Sequence, residues 1–541
     1  MRKLPFIFVS VMIIFSLVLT ACKSDKTGNS KNENEKVELT EPGTFPITKE
    51  KVTLRVLVPS NQTVEDFKTN TFTKWYEEKT NVHIEWEVMP SQNTEEKLNL
   101  ILSSGDLPDV IMSSPVTLSQ LMIYGSQGMF IKLNDLIDDQ GTDVKKFLDE
   151  RPEIKNAITA PDGNIYSLPA VNECYHCTMA QKLWVYKPWL DDLGLDMPET
   201  TEDLYEVLKA FKEKDPNGNG KNDEIPISGS KDLWPYPGYL MNAFIYSDKY
   251  LENGKIQVPF DKPQWKEGLK YVKRLYQDGL MAKEALTQDI DQLKRTGNSK
   301  DRILGMAMGY WQGDFMQAGG NSGEWMDYVA VPPIAGPDGY RVARYQPPVP
   351  SRASFIITNQ AKHPEVALRW AEGFYQEEVT LRAEAGEPDK DWRWAKEGEI
   401  GINGEPATWA RLSAYGEVQN THWAQTGPLI RTDLFRLSEV ESKDQPLEPI
   451  LYKETKEKYE PYKPEEDKVL PPLYFTQEQS AELAELESTI NNFVDESNAQ
   501  FITGTEDIDK GWDKYLKTLE SMNLKRYIEI YQEAYDAKYK K

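Results

Sequence analysis

Between residues 52 and 112 the hydrophobic pattern changes period repeatedly, and that succession leaves few folds open. Val52-Thr53-Leu54-Arg55-Val56-Leu57-Val58 alternates as a strand, residues 64–79 read as a helix, and Val82-His83-Ile84-Glu85-Trp86-Glu87-Val88 alternates again. A helix near 95–104 follows, then the turn Ser104-Gly105-Asp106-Leu107-Pro108 and a strand at 109–112. This β-α-β-α-β order predicts a parallel sheet with helices on its faces. His83 points outward on its strand and reads as a solvated residue.

The stretch Asp215-Pro216-Asn217-Gly218-Asn219-Gly220-Lys221-Asn222-Asp223-Glu224 carries distinct chemistry. Oxygen-bearing side chains at the first, third, fifth and ninth positions, with Gly at the sixth, follow the spacing of an EF-hand-type loop around a hard divalent cation. Lys221, at the seventh position, offers only its backbone carbonyl, and Glu224 adds a carboxylate at the tenth. Pro226 stands where such loops carry a bidentate Glu, so Glu224 has to substitute for it. Metal-free Asn/Gly turns share this composition, but agreement over five ligand positions favours Ca²⁺. A helix precedes the loop, with Thr200 and Asp203 as a capping pair and Leu204, Val207, Leu208 and Phe211 on one face. A short extended segment at 224–227 follows in place of a second helix, so the loop reads as a structural clip.

The 541 residues allow two or more domains. A net charge of −24 disfavours nucleic acid and anionic membrane surfaces as partners. The 14 Trp, 27 Tyr and 18 Phe lean toward a protein that stacks sugar rings, although much of that content is core. Arg2 and Lys3 precede an apolar run over residues 4–19, an export-signal pattern too short for a membrane span. It ends Leu19-Thr20-Ala21-Cys22, which resembles the bacterial lipobox. That resemblance implies removal of residues 1–21 and a diacylated Cys22 that holds the chain on the extracellular face of the cell membrane. Residues 22–50 are nearly free of apolar side chains and read as a flexible tether.

Leu102-Ser103-Ser104-Gly105-Asp106-Leu107-Pro108-Asp109-Val110 is similar to a segment of the bacterial extracellular solute-binding proteins of family 1, the sugar-binding type. Trp184-Val185-Tyr186-Lys187-Pro188-Trp189-Leu190-Asp191-Asp192-Leu193-Gly194-Leu195, continuing through Pro198-Glu199-Thr200, resembles the LipO subgroup, which includes alginate-oligosaccharide-binding proteins. Phe501-Ile502-Thr503-Gly504, Gly511-Trp512-Asp513-Lys514-Tyr515 and Tyr531-Gln532-Glu533-Ala534-Tyr535-Asp536 extend the likeness to the C-terminus. The resemblance implies an α/β, two-lobed fold of the periplasmic-binding-protein type II kind, with hinge crossings and a helical C-terminal region. It implies lobe one at 51–168 and 346–430, and lobe two at 169–345 and 431–541. It also implies a structural Ca²⁺ held by Asp215, Asn217, Asn219, the Lys221 carbonyl, Asp223 and Glu224.

Cys174 and Cys177 form a CxxC around His176. A disulfide and a pair of reduced, partly buried thiols are both open; zinc would need ligands that the other His, at 83, 363 and 422, do not evidently supply. Aromatics in loops are candidate ligand platforms: Trp234, Tyr310, Trp311, Trp394 and Trp423, with Arg352 for an acidic group on the ligand. The last quarter is helical. Thr476 caps a run with Leu483, Leu486, Ile490 and Phe493; a second carries Trp512, Tyr515, Leu516 and Leu519, and a third Tyr527, Ile530 and Tyr531.

The leading expectation is a lipid-anchored, monomeric solute receptor that captures an oligosaccharide by lobe closure and delivers it to ABC-importer permease subunits. A secreted glycoside hydrolase or lyase would need a pair of carboxylates that 87 acidic residues leave possible, though no nucleophile elbow, HExxH or P-loop appears. A peptide receptor using the same closure is the third reading, and the Trp content leans against it.

Overall fold

The computed structural model describes residues 37–90, 93–233, 237–318, 323–413, 418–444 and 446–540. Two lobes are each built on one sheet. The first sheet has six strands in the spatial order Ile430–Arg431, Leu168–Asn172, Ser351–Ile357, Val110–Met112, Val52–Pro59, Val82–Met89. Val52–Pro59 runs parallel to both its neighbours, pairing Val56 with Trp86 and with Val110, as the sequence pattern requires. Ser351–Ile357 runs antiparallel between Val110–Met112 and Leu168–Asn172. One face buries Leu54, Val56 and Val58 with Trp370 and Phe374; the other buries Leu57, Ile111 and Ile356 with Leu98 and Leu102.

The second sheet has the order Tyr328–Val331, Lys182–Tyr186, Leu304–Gly309, Ile225–Ser228. Leu304–Gly309 is buried along its whole length, as a strand covered on both faces must be. Its core continues into the C-terminal helices Gln477–Thr503, Ile508–Ser521 and Leu524–Tyr539. Thr476 and Gln479 close a capping box on the first of these, and Gly504 ends it in the left-handed conformation at φ 79°. The chain leaves the first sheet after Asn172, returns at Ser351 and leaves again after Arg431, so the lobes are joined three times.

Three local expectations need correction. Residues 37–50, expected as the end of a flexible tether, pack on the first lobe: Ile47 and Thr48 are buried, and Arg369 donates to the Thr40, Glu41 and Thr44 carbonyls. The first helix begins only at Thr71, because Asp66 Oδ1 accepts the backbone N–H groups of Lys68 and Thr69, and Asn70 then caps Phe72. Such side-chain-to-backbone bonds compete with helix. Trp392–Trp394 is not loop but a strand paired with Trp409–Arg411, and Trp392 is fully buried. No described helix is long and apolar enough to cross a membrane.

Candidate functional site

The crossings leave from the carboxyl ends of Leu168–Asn172 and Ile430–Arg431 and enter at the amino end of the antiparallel Ser351–Ile357. The second lobe therefore stands over the carboxyl ends of the parallel strands, where open α/β sheets bind their ligands. A crevice of about 690 Å³ opens there against Pro59, Asn93, Ser113 and Ser114. Ser113 sits at φ 50°, and its Oγ accepts the Gly427 N–H at 2.8 Å. Asn61, just past the first strand, donates to Thr426 Oγ1 at 3.2 Å and accepts from the Thr63 N–H at 3.0 Å. Sequence reasoning missed these polar groups; the one available signal was that Ser113-Ser114-Pro115 directly follows a buried strand.

Leu304–Gly309 delivers Tyr310 and Trp311 at the corresponding end of the second sheet. Asp314 accepts the backbone N–H groups of Tyr310 at 2.6 Å and Trp311 at 3.4 Å, which turns the chain sharply after the strand. Burial pushes the Asp314 carboxyl up, and those backbone bonds oppose the shift. Tyr310 is 39% exposed and donates to the Leu233 carbonyl at 3.2 Å. Trp311 is half-buried against the lobe core, its indole lying on Gly313, where a Cβ would come within 2.2 Å of the ring. Trp234 lies outside the described residues.

The remaining aromatic candidates separate. Trp423 has no exposed surface: its indole N–H bonds Thr73 Oγ1 at 2.8 Å, and its ring meets Phe72 at 4.7 Å. It is a core residue of the first lobe, not a ligand platform, because its one polar atom is already satisfied inside. Trp394 is 48% exposed on the hairpin, with its ring at right angles to that of Trp392. Arg352 does not present its guanidinium to the strand ends. It donates to the Leu473 carbonyl at 3.2 Å and lies 4.7 Å over the Tyr474 ring.

The Asp215–Glu224 loop follows the helix Thr201–Glu213, whose Thr200/Asp203 capping box is formed. Asp215 accepts the N–H groups of Asn219 at 3.2 Å and Gly220 at 2.9 Å, while Asn217 Oδ1 also accepts from Asn219. Asp223 accepts from the amides of Asn217 and Asn219. Gly218 and Gly220 take φ of 67° and 76°, which a tight wrap of this kind requires. Both carboxylate oxygens of Glu224 are buried without a hydrogen-bond partner. Desolvation first, then Asp215 and Asp223, push its pKa up. An all-oxygen donor set with an orphaned, repelled carboxylate fits a hard cation.

In the first crossing Cys174 and Cys177 are joined as a disulfide, so their sulfurs are not thiolate ligands. His176 between them lies 3.5 Å from Glu448, and burial holds its pKa down.

Two lobes joined by three crossings over the strand ends, with an exposed tyrosine at the end of a second-lobe strand, give the architecture of a two-lobed solute receptor. Residues 60–380 match the family described as bacterial extracellular solute-binding protein. The chain belongs to that family. It is 32% identical, over 97% of both chains, to the fructooligosaccharide ABC transporter substrate-binding protein FusA of Streptococcus pneumoniae serotype 4. The solved structure of S. pneumoniae FusA in complex with kestose superposes with a TM-score of 0.73 at 29% identity, covering 90% of this chain and 99% of that one. An EF-hand mutant of FusA in complex with fructo-nystose gives the same TM-score. An HMO-binding, ABC-transporter-associated solute-binding protein of Bifidobacterium longum infantis shares the fold, with a TM-score of 0.78 at 22% identity, covering 91% of this chain and 100% of that one.

Proposed function

We propose that the protein captures a fructooligosaccharide by lobe closure and hands it to the permease of an ABC importer. The observation that carries this reading is identity along nearly the whole chain to a fructooligosaccharide-binding protein, joined to an exposed tyrosine and a half-buried tryptophan at the strand ends of the second lobe. Tyr310 and Trp311 give the flat apolar faces on which sugar C–H groups pack, and Asn61, Ser113 and Ser114 give the opposing polar wall. A ligand touching both walls binds the closed form better and shifts the population toward it. The crossing after Asn172, the return at Ser351 and the exit after Arg431 support lobe one close to the expected 51–168 and 346–430, carried on to Asn172 and Arg431, with lobe two in the remainder.

Asp215, Asn217, Asn219, the Lys221 carbonyl, Asp223 and Glu224 would hold the Ca²⁺ as a structural clip, a role the orphaned Glu224 oxygens support. Cys22 would carry the lipid that keeps this extracellular receptor at the membrane. The protein acts by binding alone and breaks no bond.

Calorimetric titration with kestose, nystose and an oligogalacturonide tests the reading. Heat of binding with the fructans, lost in Tyr310→Ala and Trp311→Ala, is the expected result. Binding only to the uronide moves the substrate class, and a hydrolysis product in the cell moves the protein to the enzymes.

A further inference from the structure

Beside the second crossing a crevice of about 950 Å³ runs between the lobes, with Asn156 on one wall, Pro350 at its base and Tyr474, Lys538 and Tyr539 on the other wall. Two cations meet next to it. Arg352, on the first-lobe strand Ser351–Ile357, lies 4.7 Å over the Tyr474 ring and gives one N–H to the Leu473 carbonyl. Lys538, on the last helix of the second lobe, lies 5.1 Å from the same ring and donates across the gap to the Asn156 carbonyl at 3.3 Å. Among the described residues neither has a carboxylate partner. The charge acting on Lys538 is that of Arg352, of the same sign, and the groups offsetting the burial of Arg352 are Tyr474 and Tyr539. Burial lowers both cations from their ordinary values.

A third group points the same way. Tyr474 is 8% exposed, and its hydroxyl is buried with no hydrogen-bond partner of adequate geometry, although Arg352 is near. Glu153 and Glu173 also line the crevice, but both are paired with Arg151, so in a chain of net charge −24 two half-buried cations are left with no carboxylate in contact.

We propose that Arg352, Lys538 and Tyr474 form a binding site for an oxyanion, a carboxylate or a phosphate-type group, that ties one lobe to the other. The guanidinium supplies a planar fork, the ammonium a point charge and the phenol a single donor, three kinds of partner that an oxyanion accepts together. Since Arg352 belongs to the first lobe and Tyr474 and Lys538 to the second, the anion binds one relative placement of the lobes better than others. By linkage it then changes the affinity for whatever closes the cleft, and by the same factor in both directions. This site shares no residue with the Tyr310–Trp311 turn and stands whether or not the transported solute is a fructan.

The test is thermal unfolding and calorimetry of the whole soluble chain with inorganic phosphate, sulfate, acetate and glucuronate, against chloride at matched ionic strength and with glucose as the neutral control. A saturable rise in midpoint with phosphate and sulfate assigns a free inorganic anion. A rise with glucuronate but not with acetate or phosphate assigns the acid group of a sugar. In either case Lys538→Met and Arg352→Gln should weaken binding roughly tenfold or more, and Tyr474→Phe, which keeps the ring, by several-fold. Lys538 is half-exposed near the chain end, so Lys538→Met decides the matter even where Arg352→Gln destabilises the strand. No response beyond chloride, or an equal response in Lys538→Met, overturns the site.

Discussion

Glu224→Gln separates a metal clip from a metal-free turn, because the two predict opposite signs. In the folded chain both Glu224 oxygens are buried and unpartnered, and Asp215 and Asp223 add like charge. A bound divalent cation answers all three penalties at once. At a calcium concentration of about one hundred times its Kd, the folded state gains about 2.7 kcal/mol. At roughly 2–4 °C per kcal/mol, chelation by EGTA should lower the wild-type Tm by roughly 5–11 °C. Glu224→Gln should lose most of that response, since the amide brings no charge to the cation. In EGTA the same substitution should instead raise Tm by about 2–4 °C, because it removes an uncompensated buried charge worth about 1 kcal/mol. Scanning calorimetry of both proteins in excess calcium and in EGTA reads the four values. An equal calcium response in the two proteins, or a variant that is the less stable one in EGTA, refutes the reasoning.

Trp423→Ala should cost about 3–5 kcal/mol of stability, the Thr73 hydroxyl losing the indole donor but still donating to the Phe67 carbonyl, while the folded fraction keeps its ligand affinity; denaturant unfolding and calorimetry together check this. Tyr310→Ala should do the reverse, weakening ligand binding with a Tm change of only a degree or two. Lys182 is fully buried, gives its ammonium hydrogens to the His176 and Met179 carbonyls, and is pushed down to about 7 by desolvation. The unfolded chain holds that proton up to its ordinary value near 10.5, so stability should climb as pH rises from about 7 toward 10, by up to about 1.4 kcal/mol per pH unit. The slope difference between wild type and Lys182→Met in urea unfolding isolates the effect, and parallel slopes would count against it.

Much of the architecture was legible because local pattern and global fold agree. The alternation over residues 52–58 and 82–88 marks two adjacent parallel strands, and Thr200 and Thr476 cap the helices their sequences announce. The tight wrap of Asp215–Glu224 was legible for the same reason, since the spacing of its Asn, Asp and Gly residues is a local property. What escaped was long-range. Nothing near Ser351–Ile357 says that this strand enters the middle of a sheet begun three hundred residues earlier, antiparallel to its neighbours. Trp423 stands outside any helical or alternating run, and Trp394 ends a strand of only three residues, so burial of one and exposure of the other left no usable trace in period. Arg352 was marked for an acidic group on the ligand, but the strand register that turns it onto the Leu473 carbonyl and the Tyr474 ring belongs to the tertiary structure.

The central place of Ser351–Ile357 governs the order in which this molecule can come into being. Until that strand arrives, Val110–Met112 and Leu168–Asn172 have no neighbour between them, so the amino-terminal lobe stays open through the synthesis of all the intervening chain. Its last strand, Ile430–Arg431, comes later still. A lobe assembled from segments so far apart forms slowly and exposes unpaired strand edges meanwhile. In a family described as extracellular, that delay is an asset: a polypeptide whose lobe cannot close early remains threadable while it is being moved to where it works.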